Sequence, residues 1–361
     1  MSSEPFFSVI IATWRRTQFL KAAVDSVLHQ SLDPSQYEVV LSKGVVDDSL
    51  EEYCRARGVR VLWEESWDLG RRIERALDST HGEVLVFMDD DDEFAPTKLE
   101  TLADAFRRWP GLAYYHHGVS VIGEHGEALS EARTPHLVRN HSGSTGPILF
   151  PPGSAWDRYR TLEPLDPSWN TSSVAVRRDV LLAHRPVLSE LAFLVGRMAY
   201  LVALSENRPI VLDPRPLTRY RYHSANSSGM GGRSSLGSAG VAELTNRLHT
   251  IAVRQLRDLE LLAGLVRRAG QPQIAAQIEG RLPVLRLFAT LRDPQVSRSN
   301  VLRRWGEMIH RQGPWAGESP WGGPLASTAV VHSLLAAYLA SPRLGAAAYV
   351  RLREFRRPVA S

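Results

Sequence analysis

Residues 83–94 read EVLVFMDDDDEF, and the fold follows from how this stretch changes character halfway. Residues 84–88 are an unbroken apolar run, short enough for a strand covered on both faces and too short for a core helix. Asp89, Asp90, Asp91 and Asp92 follow without a spacer. Four adjacent carboxylates repel one another, so a cation or a hydrogen-bonding shell has to offset their charge. Open α/β sheets bind ligands just beyond the carboxyl ends of their strands, which is where these aspartates fall. The alternative is a solvated acidic turn in which Asp92 caps a helix begun by Pro96. Capping uses one Asp and not four, which favours the ligand reading.

Working outward, residues 8–12 read as a buried strand and 13–16 as the turn after it. Residues 18–30 place Phe19, Leu20, Ala23, Val24, Val27 and Leu28 at helical spacing. Residues 37–41 and 59–63 read as further strands, and 49–57 and 69–79 as helices. Such alternation implies right-handed crossovers and a parallel sheet. The expected fold class is therefore α/β: a mostly parallel sheet flanked by helices, with three loops converging on one edge.

Downstream, residues 139–168 are rich in Gly, Pro, Ser and aromatics and read as variable loops. Residues 224–240, SANSSGMGGRSSLGSAG, are low-complexity and read as a linker or as a lid over a bound ligand. From Val241 the pattern turns helical through Leu244, Leu248, Ile251, Leu256, Leu259 and Leu262, broken by GQPQ near Gly270 and by GPWAGESPWGGP. In that loop Trp315 and Trp321 either stack on sugar or lock packing.

The chain has 361 residues, 43% hydrophobic and 23% charged, a composition that excludes wholesale disorder. Its formal charge of +4 raises a nucleic-acid reading. The basic residues are nearly all Arg and spread along the whole length, so no nucleic-acid partner is expected. The single cysteine, Cys54, excludes an intrachain disulfide and a cysteine-based metal site, and points to a reducing compartment. No basic lead precedes the first apolar run, so a cytoplasmic location is expected. Residues 325–340 are apolar but too short for the roughly 20 residues that span a bilayer, so they are expected to pack within the protein or at a homo-oligomer interface. Residues 343–357 mix apolar side chains with five arginines, a composition that also suits the surface of an anionic inner membrane.

Several segments together resemble the inverting, GT-A fold glycosyltransferases of family 2. They are SVIIATWRR, FLKAAVDSVLHQS, YEVVLSK and HGEVLVFMDDDDEFAPTKL, then NTSSVAVRRDVL and LTRYRYHSANSS, in that order along residues 6–228. The resemblance implies a glycosyltransferase domain over residues 1–228, with a donor half to about 125 and an acceptor half after it. A flexible stretch at 229–240 and a helical region at 241–361 complete the expected organisation. It further implies a metal-dependent, nucleotide-sugar-using hexosyltransferase. The cofactor would be Mn²⁺ or Mg²⁺, and the donor a UDP-, GDP- or dTDP-sugar. The acceptor class stays open among glycan, lipid-linked, peptide and secondary-metabolite acceptors.

Matched residue by residue, the resemblance makes Asp91 the direct metal ligand and Asp89 a ribose or water-mediated metal contact, with Asp90 beside them on the donor. His223, from the Tyr-Arg-x-His segment, is a further metal or phosphate contact, or else a loop histidine bonded to backbone. Thr13, Trp14 and Arg15 stand in the first loop, where the family has Thr-Tyr-Asn, and Thr13 and Trp14 are candidates for packing against the nucleobase. Ser42 and Lys43 occupy the place where many members carry a uracil-reading Asp, so Lys43 is either a phosphate contact or a solubilising side chain. Arg71 and Arg72, at a helix start, are candidates for the diphosphate. Inversion requires a base for the acceptor hydroxyl. The position matching the family's Asp is Leu191, which leaves Glu190 as the candidate, at a helix start, with Asp157 and Asp166 as alternatives. Two readings from other classes stay open: a catalytically silent nucleotide-sugar-binding protein, and a nucleotidyltransferase.

Overall fold

The computed structural model describes residues 4–130, 144–223, 238–293, 297 and 299–305. Trp315, Trp321 and residues 325–340 and 343–357 lie outside the described residues, as does most of the 224–240 segment. The chain divides into two compact units, residues 1–222 with 265–272, and residues 223–264 with 273–361.

The first unit is built on one mixed sheet. β1 (Phe7–Thr13), β2 (Tyr37–Lys43), β3 (Arg60–Trp63) and β4 (Val84–Asp89) run parallel in the order β3-β2-β1-β4. Between them α1 (Leu20–Leu28), α2 (Asp48–Arg55) and α3 (Leu69–Leu77) make the crossovers. The expected alternation of strand and helix is therefore present, with boundaries shifted by one or two residues. α1 buries Leu20, Ala23, Val24 and Val27, the spacing of a helix that covers a sheet with one stripe. Phe7, Val9 and Ile11 of β1 share a core with them, together with Val84, Val86 and Met88 of β4, because alternate residues of a strand face the same side. Asp47 caps α2 by accepting from Leu50 N at 3.0 Å. Cys54 sits fully buried in this core, and burial pushes its thiol up to about 11.

Beyond β4 the sheet departs from the parallel expectation. After β5 (Glu93–Phe94) and α4 (Lys98–Arg108), β6 (Tyr114–Ile122) enters the sheet away from β4. β8 (Val174–Arg177) fills the gap and runs antiparallel to both neighbours, and β9 (Ile210–Arg221) lies parallel to β6. β7 (Ile148–Phe150) and β5 pair antiparallel with β9. The region read as loops at 139–168 thus holds β7 and α5 (Ala155–Leu162), the latter capped by Ser154. α6 (Arg178–Leu182), α7 (Arg185–Leu188) and α8 (Val195–Ser205) complete the unit.

Most of α9 (Ser238–Arg268) and of α10 (Pro272–Arg292) belongs to the second unit; α9 starts three residues earlier than the apolar spacing suggested, and α10 follows the break at Gly270. Ile251, Ala252 and Leu262 of α9 and Ile274, Ile278 and Leu285 of α10 are buried. His249 Nδ1 meets Ala289 O at 2.9 Å, and Arg286 pairs with Glu260 at 2.5 Å.

Candidate functional site

β1, β2 and β4 end level with one another, with Ala12 opposite Asp89 and Thr13 opposite Lys43. The four aspartates therefore turn over the carboxyl edge of the parallel strands. Asp90, Asp91 and Asp92 are all buried, so their charges are screened by neighbours rather than by water.

Asp90 and Asp91 share one partner, and Asp92 has others. Arg16 reaches the cluster from the first loop: its Nε lies 3.0 Å from Asp90 Oδ1, its Nη2 also contacts Asp90, and the same Nη2 stands 2.6 Å from Asp91 Oδ2. The Thr13 hydroxyl is within reach of both Asp90 Oδ2, at 2.5 Å, and Arg16 O, at 2.7 Å. Asp92 faces away from this pair. It accepts from Arg221 N at 3.0 Å and from Asn170 Nδ2 at 3.2 Å. Asp92 does not cap α4, whose cap position is Thr97. Arg221 also donates from Nε to Asp91 O at 2.9 Å and pairs with Glu93, fastening the turn to the end of β9. Ser172 closes the other side, its Oγ accepting from Asp89 N at 2.9 Å and its carbonyl from Lys98 Nζ at 2.6 Å.

The electrostatics follow from this packing. Burial first, then the charges of Asp92, Asp91 and Asp90, hold the Asp89 carboxyl well above the usual range. Asp90 is raised by burial and Asp91, against the pull of Arg16. Asp92 is pushed up to about 7 by burial and by Asp91. Burial works against the Arg16 charge but is outweighed by Asp91 and Asp90, so its proton is held more firmly than usual. Lys98 is pulled well below its usual range by full burial, opposed by Asp92 and Asp89.

Arg72 is the cation best placed to meet an anionic ligand. It is 6% exposed, its Nη2 donates to Trp67 O at 2.6 Å, and its Nε and Nη1 have no hydrogen-bond partner among the described residues. Burial lowers its affinity for a proton, while Asp90 and Asp89 raise it. A buried guanidinium left half-satisfied is costly unless a ligand completes it. Arg71, one residue earlier, is exposed.

Lys43 corrects the sequence reading. It is 1% exposed, donates to Val45 O at 2.7 Å, pairs with Glu51 and lies 5.6 Å from the Trp63 ring. It is neither a solubilising side chain nor available to a phosphate, because burial without Glu51 would strand its charge. Thr13, also buried, serves Asp90 rather than a nucleobase. Trp14 stacks on Trp67 at 5.2 Å between centroids, with the Arg15 guanidinium 4.2 Å from its ring. Trp67 in turn meets Phe193 edge-on at 6.0 Å.

That contact continues as backbone pairing. Leu69 N and Gly70 N, at the start of α3, donate to Ala192 O and Leu191 O at 3.0 Å each. Leu191, at the position matched to the family's base, is fully buried. Glu190 is exposed and lies in a turn after α7, five residues before α8, rather than at the helix start expected for it. Of the alternatives, Asp157 is exposed in the first turn of α5, and Asp166 ends a short 3-10 turn at φ 49°. His223 is 4% exposed, two residues past the end of β9.

Among the described residues no group of three or more His, Cys, Asp or Glu side chains converges as a complete metal cage. An oxygen-only cluster in which the carboxyls of Asp89, Asp90 and Asp92 are raised by burial and mutual repulsion still fits a hard cation held by one or two carboxylates, with phosphate and water completing its shell. Arg16, Lys98, Asn170, Ser172 and Arg221 were absent from the sequence-derived site. All five sit inside segments already quoted, Arg16 in SVIIATWRR, Lys98 before Leu99, Asn170 and Ser172 in NTSSVAVRRDVL and Arg221 before Tyr222, so the signal was present without an assigned role.

Residues 8–155 match the family model described as glycosyl transferase family 2. An uncharacterized glycosyltransferase of Nostoc sp. is 25% identical over 255 residues, covering 66% of this chain and 73% of that protein. Among solved structures, S. aureus TarS has a TM-score of 0.48 at 14% identity, covering 87% of this chain and 56% of that one. The mannosyltransferase PcManGT from Pyrobaculum calidifontis, in complex with GDP-Man and Mn²⁺, has a TM-score of 0.47 at 14% identity, covering 98% of this chain and 89% of that one.

Proposed function

We propose that this glycosyltransferase, with its family 2 domain at residues 8–155, moves a hexose from a nucleoside-diphosphate sugar to an acceptor hydroxyl with inversion, aided by a divalent cation. The observation that carries the reading is the pairing of opposite charges at the carboxyl edge of the sheet. Buried aspartates stand near a buried arginine, Arg72, two of whose nitrogens have no hydrogen-bond partner among the described residues.

In this reading Asp91 supplies the oxygen ligand, with Asp89 contacting ribose or a metal-bound water. Mn²⁺ or Mg²⁺ held there would neutralise charge on the leaving diphosphate. The two open nitrogens of Arg72 donate to the diphosphate oxygens, and the Trp14–Trp67 stack fixes the loops around them. Glu190 accepts the proton of the acceptor hydroxyl as its oxygen bonds to the anomeric carbon and the bond from that carbon to the diphosphate oxygen breaks. The fully buried Leu191 at the matched base position favours a second reading, donor binding without transfer.

One experiment separates the two. UDP-, GDP- and dTDP-hexoses are offered with Mn²⁺ or Mg²⁺, and donor binding and nucleoside diphosphate release are measured. Asp91→Asn is expected to lose the metal-dependent part of nucleotide binding. Glu190→Gln is expected to bind donor normally and turn over roughly a hundredfold more slowly. Equal nucleotide affinity in wild type and Asp91→Asn, with metal and with chelator, overturns the donor-site reading. Unchanged turnover in Glu190→Gln moves the base elsewhere, and wild type that binds but never turns over favours the silent reading.

A further inference from the structure

Arg16 contacts carboxylate oxygens that a cation held by Asp91 would draw on. Its Nη2 is 2.6 Å from Asp91 Oδ2 and also contacts Asp90, and its Nε is 3.0 Å from Asp90 Oδ1. One guanidinium thus bridges two carboxylates of the cluster. Mg²⁺ binds a carboxylate oxygen at about 2.0–2.1 Å, and Arg16 already takes up one of the few lone-pair positions through which Asp91 could hold it. Two positive groups over one carboxylate pair also repel.

The geometry differs from that of a buried structural pair. The Arg16 side chain is 24% exposed, against 8% for Asp90 and 9% for Asp91, so the arginine is the member with room to leave. It rides on the loop between β1 and α1, whereas the backbone of the aspartate turn is fastened on both sides, Asp91 O by Arg221 and Asp89 N by Ser172. Arg72 cannot play this part, because it is buried and its Nη2 is held by Trp67 O.

We infer that Arg16 is a positioning residue that acts as an internal stand-in for the cation: it holds Asp90 and Asp91 until a divalent cation and a nucleoside diphosphate arrive together, and then moves onto the phosphates. Cation binding is thereby conditional on nucleotide. The diphosphate brings the negative charge that lets the cation and the released guanidinium coexist, and without it Arg16 competes for the same oxygens. This rests on the donor-site reading above.

The test follows Mn²⁺ uptake by the free-ion spin-resonance signal, with and without UDP, GDP or dTDP, in wild type and Arg16→Met. Wild type is expected to take up Mn²⁺ weakly alone and strongly with a nucleoside diphosphate. Arg16→Met is expected to bind Mn²⁺ alone about tenfold more tightly, the equivalent of about 1.4 kcal/mol, and to gain little from nucleotide. Circular dichroism checks folding, and Arg16→Lys, which keeps the charge on a shorter side chain and loses the Nε bond to Asp90, is expected to fall between the two. Equal Mn²⁺ affinity in nucleotide-free wild type and both variants overturns the inference while leaving the donor site standing. No Mn²⁺ uptake by any of them, with or without nucleotide, overturns the donor-site reading and this inference together.

Discussion

The four aspartates look alike in sequence and separate once their partners are known. Asp92 is a building element, tied to Arg221 and Asn170. Asp90 and Asp91 share Arg16, and Asp89 lies at the strand end. The Asp91 charge raises the other three alike, which gives a stability test independent of activity. A carboxyl whose folded-state pKa lies above its unfolded value of about 4 stabilises fully below that value and loses the contribution as pH rises through the folded pKa. For Asp92 the loss runs from about 4 to about 7. In chelator, the melting temperature is therefore expected to fall from about pH 4 to about pH 7, and Asp91→Asn is expected to flatten the fall. An equally steep decline in the variant would remove Asp91 as its source.

At the scale of elements, the start of α3 couples the two sides of the site. Its first N–H groups, which a helix leaves unsatisfied, are taken by the carbonyls of Leu191 and Ala192. A Cβ on Gly70 would lie 1.9 Å from Leu188 O and 2.8 Å from Leu191 O, both backbone atoms. Gly70→Ala is therefore expected to lower stability by about 1–3 kcal/mol and to weaken nucleotide binding, because α3 carries Arg72. A variant with wild-type melting and wild-type nucleotide affinity would show that the approach relaxes without cost. Contacts of this kind explain which elements were legible. β1, α1, β2 and β4 declared themselves because local apolar spacing and burial coincide in them. β6 did not, because YYHHGVSVI reads as half polar. Its polar groups are matched from afar, Tyr115 by Asp213 and His116 by Trp169 O, 98 and 53 residues away, and spacing cannot reveal such partners. Lys43 misled although its partners are nearer in sequence, since Glu51 and Trp63 meet it only in three dimensions.

For the whole molecule, the question is where a protein of net charge +4 works. Among the described residues no helix is long and apolar enough to cross a membrane. The densest basic segment is residues 343–357, with Arg343, Arg351, Arg353, Arg356 and Arg357 beside Leu344, Val350, Leu352 and Phe355. Each arginine near an anionic surface contributes about 1 kcal/mol, and that attraction fades within a Debye length of about 8 Å at physiological salt. Durable anchoring takes two signals, and a basic segment is one. The protein is thus expected to float with phosphatidylserine vesicles at low salt, to stay behind at physiological salt, and to lose low-salt flotation when residues 343–361 are deleted. Flotation that persists at physiological salt would assign the enzyme to a membrane surface and favour a lipid-linked acceptor. Low-salt flotation that survives the deletion would place the basic surface elsewhere among the arginines spread along the chain.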